Sequence, residues 1–110
     1  MATWSVETLN KDVDGELGAL SQELRSRFIR VVELIEEFGL ENIGLPHIRS
    51  LGDKLWEMRF KGQNQVARGI YVVAKGRRVV VIHVFVKKTE KTPVAAIRIA
   101  TQRAKKAGLL

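Results

Sequence analysis

The chain has 110 residues, 45% hydrophobic and 28% charged, which suits a single globular domain with its own core and excludes two large ones. Cysteine is absent, which removes disulfide frameworks, thiolate metal sites and cysteine nucleophiles, and two histidines (His47 and His83) are too few for a histidine zinc site. The net charge of +7 is unevenly placed: residues 1–46 hold four Lys/Arg and nine Asp/Glu, residues 47–110 hold fifteen and three. A positive field concentrated in one half favours a polyanion such as nucleic acid, with an acidic protein as the other candidate partner.

Thr3-Trp4-Ser5-Val6-Glu7 alternates and reads as a short strand. Residues 8–20 are weakly helical: Leu9, Val13, Leu17 and Leu20 keep helical spacing while Gly15 and Gly18 oppose it. Ser21 is placed as an N-cap, and Leu24, Phe28, Val31, Ile35 and Phe38 predict one apolar helical face ending at Gly39. Residues 39–54, with Gly39, Gly44, Pro46 and Gly52, read as an irregular connection.

Three strands are predicted next. In Leu55–Lys61, apolar Trp56, Met58 and Phe60 alternate with Glu57, Arg59 and Lys61. Val66–Ala74 follows a turn at Gly62-Gln63-Asn64, and Arg77–Lys87 follows Lys75-Gly76. The last strand is nearly all apolar, as a central strand covered on both faces would be. Thr92 is then expected to cap a C-terminal helix with Pro93 at its first position. The order implies an α+β fold in one domain spanning 1–110, with helices on one face of a mainly antiparallel sheet. No apolar run approaches the ~20 residues of a membrane span. No basic-then-apolar leader opens the chain, so the expected location is the cytoplasm.

Walker, GxGxxG, HExxH and GxSxG motifs are all missing, and no carboxylate pair marks a glycosidase or metal nuclease. What remains is a set of cations at strand spacing. Arg59 and Lys61 share a sheet face, Arg68 lies in the next strand, and Lys87, Lys88 and Lys91 end the third. Gathered on one surface, such cations hold a phosphodiester and stabilise the charge of its transition state. RNA brings its own nucleophile, the 2′-hydroxyl, so no metal or cofactor is required. The plainer alternatives are a solvated strand face for Arg59 and Lys61, a cross-strand ion pair of Arg68 with Glu57, and a basic loop for the lysines. His83 and Phe85 read as core residues, with proton transfer and base stacking as their functional alternatives.

The stretches LGDKLWEMRFKG, VARGIYVV and VVVIHVFVKKTEKTP resemble the phage-derived Gp49-like group of HigB toxins, within the RelE/ParE toxin superfamily. The similarity covers residues 45–106, and its most specific piece is HxFxKKTxKTP from His83 to Pro93. The resemblance implies a RelE-like fold: N-terminal strand and helices on a mainly antiparallel sheet, then a short C-terminal helix. It implies the toxin of a type II toxin–antitoxin system, a ribosome-dependent, metal-independent messenger RNA endoribonuclease that blocks translation. It also implies a cognate helix-turn-helix antitoxin, with operator DNA contacted only through it.

By position, the resemblance assigns Arg68 to transition-state charge and Arg59 and Lys61 to holding the scissile region. It assigns Lys87 and Lys88 to the leaving group, His83 to support or proton transfer, and Phe85 to packing or base contact. Lys91 adds to the RNA-binding set. The tyrosine that some RelE members place after the last strand is missing from Thr92-Pro93-Val94-Ala95, and the only tyrosine is Tyr71. Two further readings remain: a ParE-like gyrase inhibitor and a nucleic-acid-binding domain without catalysis. The acidic first half predicts helices facing away from RNA, with the antitoxin docked near residues 8–40 or against the basic groove.

Overall fold

Each N-terminal helix starts where a polar side chain accepts a backbone N–H. Asn10 accepts from Val13 at 3.1 Å and opens α1 (Lys11–Gly18); Ser21 accepts from Leu24 at 3.2 Å and opens α2 (Gln22–Phe38). The Arg25 guanidinium reaches back to donate to the carbonyls of Gly18 and Leu20, at 3.0 and 2.7 Å, and so satisfies the end of α1. Gly39 ends α2 with φ 86°, where an added Cβ would stand 2.9 Å from the Glu41 carboxylate and 3.3 Å from the Trp4 ring. Leu24, Val31 and Ile35 are buried as their spacing predicts, and Phe28 meets Phe60 edge-on at 5.6 Å. Phe38 departs from the predicted face: as the last residue of α2, beside the Gly39 break, it is 55% exposed.

The computed structural model describes residues 3–43, 48–87 and 91–110. Among these, β1 (Ser5–Thr8), β2 (Ile48–Gly52), β3 (Leu55–Lys61), β4 (Val66–Ala74) and β5 (Arg78–Lys87) form one sheet in the order β1-β5-β4-β3-β2. β1 runs parallel to β5, and the other neighbours are antiparallel. The fold class is therefore as expected. β2 lies inside the stretch predicted to be irregular. It is a short edge strand joined to β3 by Asp53-Lys54, both at positive φ (52° and 67°), the backbone of a two-residue hairpin turn. Nothing in its composition alternates strongly enough to announce it.

The second correction concerns the layers. α1 and α2 cover one face, where Val13, Leu24, Val31 and Ile35 pack with Met58, Phe60, Tyr71, Val79 and Val81. α3 (Val94–Lys106) covers the other, where Ala96, Ala100 and Ala104 pack against Ile70, Val72, Val80 and Ile82. Helices on both faces explain why Val79 to Val84 is buried throughout. The third correction is at the start of α3, where Pro93 and not Thr92 occupies the N-cap position and no side chain caps the helix. The Thr92 hydroxyl is turned inward, to a buried ion pair described below.

Candidate nucleic-acid interface

The register of three strands sets the site. Residues directly opposite one another in neighbouring strands share a face. Lys61, Val66 and Lys87 form one such row; Arg59, Arg68 and Phe85 form the next; Glu57, Ile70 and His83 form the third. All nine lie on the face that carries α3. The helix covers the continuation of this face, at Val72, Val80 and Ile82, and leaves the first two rows partly open. Lys61 is exposed, while Arg59, Val66, Phe85 and Lys87 are half-buried. Lys91 is exposed beside Thr92 at the approach to α3. Lys88, also placed in this set from the sequence, lies outside the described residues, as does His47.

Arg68 is brought to the centre of the rows but not to their surface. Its side chain and that of Glu57 are both 0% exposed, with Arg68 Nη1 2.9 Å from Glu57. The same nitrogen donates to Thr92 Oγ1 at 2.7 Å, and the Thr92 hydroxyl in turn donates to Glu57. The cross-strand pair weighed from the sequence is thus present. A guanidinium would be too costly to enclose alone, and Glu57 supplies the opposite charge that makes burial possible. Thr92 is among the groups that enclose Arg68.

His83, 8% exposed, faces Glu16 of α1, whose Oε2 lies 3.0 Å from His83 Nδ1. Arg103 of α3 donates to the same carboxylate at 2.9 and 3.1 Å. Burial disfavours the ionised Glu16 carboxyl, but hydrogen bonds from Arg103, the Val84 N–H and His83 outweigh it and hold the group below its ordinary range. The His83 ring stacks on Phe85 with centroids 5.2 Å apart and 27° between planes. Tyr71 does not replace the missing tyrosine: it points to the α1–α2 face, fully buried, and burial pushes its phenol upward. Among the described residues, no three His, Asp or Glu side chains are gathered as a metal site, and no helix is long and apolar enough to cross a membrane.

Sequence reading weighed the Arg68–Glu57 pair but missed that it is fully enclosed, and it missed Thr92 as the third member and Glu16 and Arg103 altogether. Glu57 had a usable signal, since it shares a strand face with Leu55. Glu16 and Arg103 had none: they meet across 87 positions in the chain.

Comparison with known proteins follows this geometry. The family profile described as phage derived protein Gp49-like (DUF891) matches residues 15–105. A solved structure of the E. coli toxin RelE, a doubly substituted mutant in the free state, is similar with a TM-score of 0.58 and 15% sequence identity. That similarity covers 94% of this chain and 97% of that chain. Among curated proteins none matches the chain.

Proposed function

We propose a function that proceeds from family membership: the chain belongs to the family of phage-derived Gp49-like proteins. With a RelE-like fold, that membership suggests the toxin of a type II toxin–antitoxin system, and such a toxin implies a cognate antitoxin. The reading proposed is a cytoplasmic, ribosome-dependent endoribonuclease that cuts messenger RNA without a metal. Its antitoxin is a helix-turn-helix protein that carries the toxin to operator DNA.

The observation that carries this reading is the pair of cation-bearing rows, Lys61–Val66–Lys87 and Arg59–Arg68–Phe85, left partly open beside α3. Arg59, Lys61 and Lys91 hold the RNA backbone, and Phe85 offers a ring to a base. The 2′-hydroxyl attacks the adjacent phosphorus, the bond to the 5′-oxygen breaks, and a cyclic phosphate and a 5′-hydroxyl result. Positive charge at Lys87 and Lys88 stabilises the departing oxygen, which takes up a proton as it leaves. Arg68 adds charge at the phosphorus once RNA displaces Thr92. His83, with Nδ1 turned to Glu16, supports the face or accepts the 2′-hydroxyl proton at its other nitrogen.

The test is primer extension on messenger RNA in a translating extract, beside a gyrase supercoiling assay. The variants are Lys61→Ala, Lys87→Ala and Arg68→Lys, the last keeping a positive charge against Glu57. Codon-phased cuts that need translation, weakened in all three variants, are expected. Intact messenger RNA with lost supercoiling would move the function to gyrase inhibition, and neither effect would leave a non-catalytic nucleic-acid-binding domain.

A further inference from the structure

β5 outruns its neighbour. β1 pairs with it only as far as Thr8 opposite Val81, where the Leu9 N–H closes the ladder on the Val81 carbonyl at 2.9 Å. Beyond that point no strand among the described residues lies beside the β5 edge, and the strand is irregular there. Ile70 pairs with His83 while Tyr71 pairs with Val81, so Ile82 is an extra residue in the β5 ladder. Two side chains supply what a neighbouring strand would have supplied. Glu16 Oε1 accepts the Val84 N–H at 3.0 Å, and Arg103 Nη1 donates to the Ile82 carbonyl at 2.9 Å. The two are joined to each other, Arg103 Nη2 lying 2.9 Å from Glu16 Oε2.

The same carboxylate sets the histidine. An ionised Glu16 only accepts hydrogen bonds, so its 3.0 Å contact favours a proton on His83 Nδ1 over acceptance there from Arg103 Nη1, 3.5 Å away. The ring so held stacks on Phe85, and Phe85 stands directly across from Arg68 in the basic row. A chain of contacts therefore runs from Glu16 and Arg103, through the bulge and His83, to the aromatic ring of the open face.

We propose that Glu16 and Arg103 are positioning residues for the RNA site: by bracketing the β5 bulge and holding His83, they fix Phe85 as a stacking platform beside the phosphodiester position. This rests on the ribonuclease reading, and neither residue touches RNA. A platform that orients a base for the chemical step acts on turnover, while backbone contacts carry affinity.

The experiment compares wild type, Glu16→Gln, Arg103→Lys, Phe85→Ala and the double variant Glu16→Gln with Phe85→Ala. Cleavage of messenger RNA on ribosomes gives kcat and KM, nitrogen NMR gives the His83 tautomer, and circular dichroism confirms that each variant is folded. Glu16→Gln and Arg103→Lys are expected to lower kcat by about tenfold with KM changed by less than about threefold. In Glu16→Gln the His83 Nδ1–H signal is lost or exchanges rapidly. The double variant is expected to be no slower than Phe85→Ala alone, because both changes remove one effect. Folded Glu16→Gln and Arg103→Lys with unaltered kcat, or losses that multiply in the double variant, overturn the proposal. A wild type that cuts no messenger RNA overturns the ribonuclease reading itself, and this role with it.

Discussion

Arg68 and Glu57 are both fully enclosed, and that decides how the site is to be probed. Removing Arg68 leaves a buried carboxylate without its counter-charge, at an expected cost of about 3–5 kcal/mol. Arg68→Ala is therefore expected to lower the unfolding temperature sharply, whether or not Arg68 takes part in chemistry. Replacing both partners together, as Arg68→Met with Glu57→Leu, is expected to recover most of the loss, and thermal denaturation of the two variants checks this. At Glu16 the prediction is one of pH. Its folded-state carboxyl is held below the ordinary 4.5 by Arg103, the Val84 N–H and His83, against the opposing effect of burial. The stabilisation it brings is present above the unfolded-state value and is lost as pH falls through the folded one. The stability gap between wild type and Glu16→Gln should therefore narrow below about pH 4.5, as read from urea denaturation across pH.

At the scale of elements, α3 lies close on the sheet because its inner stripe is alanine. Ala96, Ala100 and Ala104 are 5%, 0% and 0% exposed. Ala100→Leu forces extra volume against Ile70 and Ile82, and is expected to destabilise by about 1–3 kcal/mol in chemical denaturation. The elements also show what local sequence can announce. The period of Leu24, Phe28, Val31 and Ile35 disclosed α2, because a helix burying one face must repeat every three or four residues. The apolar run of β5 disclosed a strand buried on both sides, although its second cover, α3, was expected on the other helices' face. β2 stayed hidden because a five-residue edge strand buries little: only Ile48 of its residues is buried. The bulge in β5 also stayed hidden, because an extra residue in one strand exists only relative to a partner strand.

Over the whole molecule the charges separate as the sequence divided them. The acidic residues sit largely on α1, α2 and the segment after them, while the cationic rows lie on the face that carries α3. If the proposed ribonuclease reading holds, RNA affinity is expected to fall steeply with salt, and Lys61→Ala to reduce that slope by about one unit, because each phosphate contact releases counterions. Filter binding across ionic strength measures both. For the antitoxin surface, Arg30 is the usable probe of α2, since its side chain is exposed and its ion pair is with the neighbouring Glu33 at 3.7 Å. Arg25 is unsuitable: it caps α1, and its removal disturbs the helix as well as any contact.

The α+β class, the order of every element but β2, the concentration of positive charge in the second half and the strand-spaced cations were all legible in the sequence. Each depends on composition or on repeats shorter than a dozen residues, and the HxFxKKTxKTP stretch added the family resemblance. Only the tertiary structure decided that Arg68 lies enclosed with Glu57 and Thr92, that helices cover both faces, and that Glu16 and Arg103 bracket the β5 bulge. These are contacts between residues 11 to 87 positions apart. The energy that selects them comes from satisfying buried charge and free strand edges, and no local pattern encodes which distant side chain will do so.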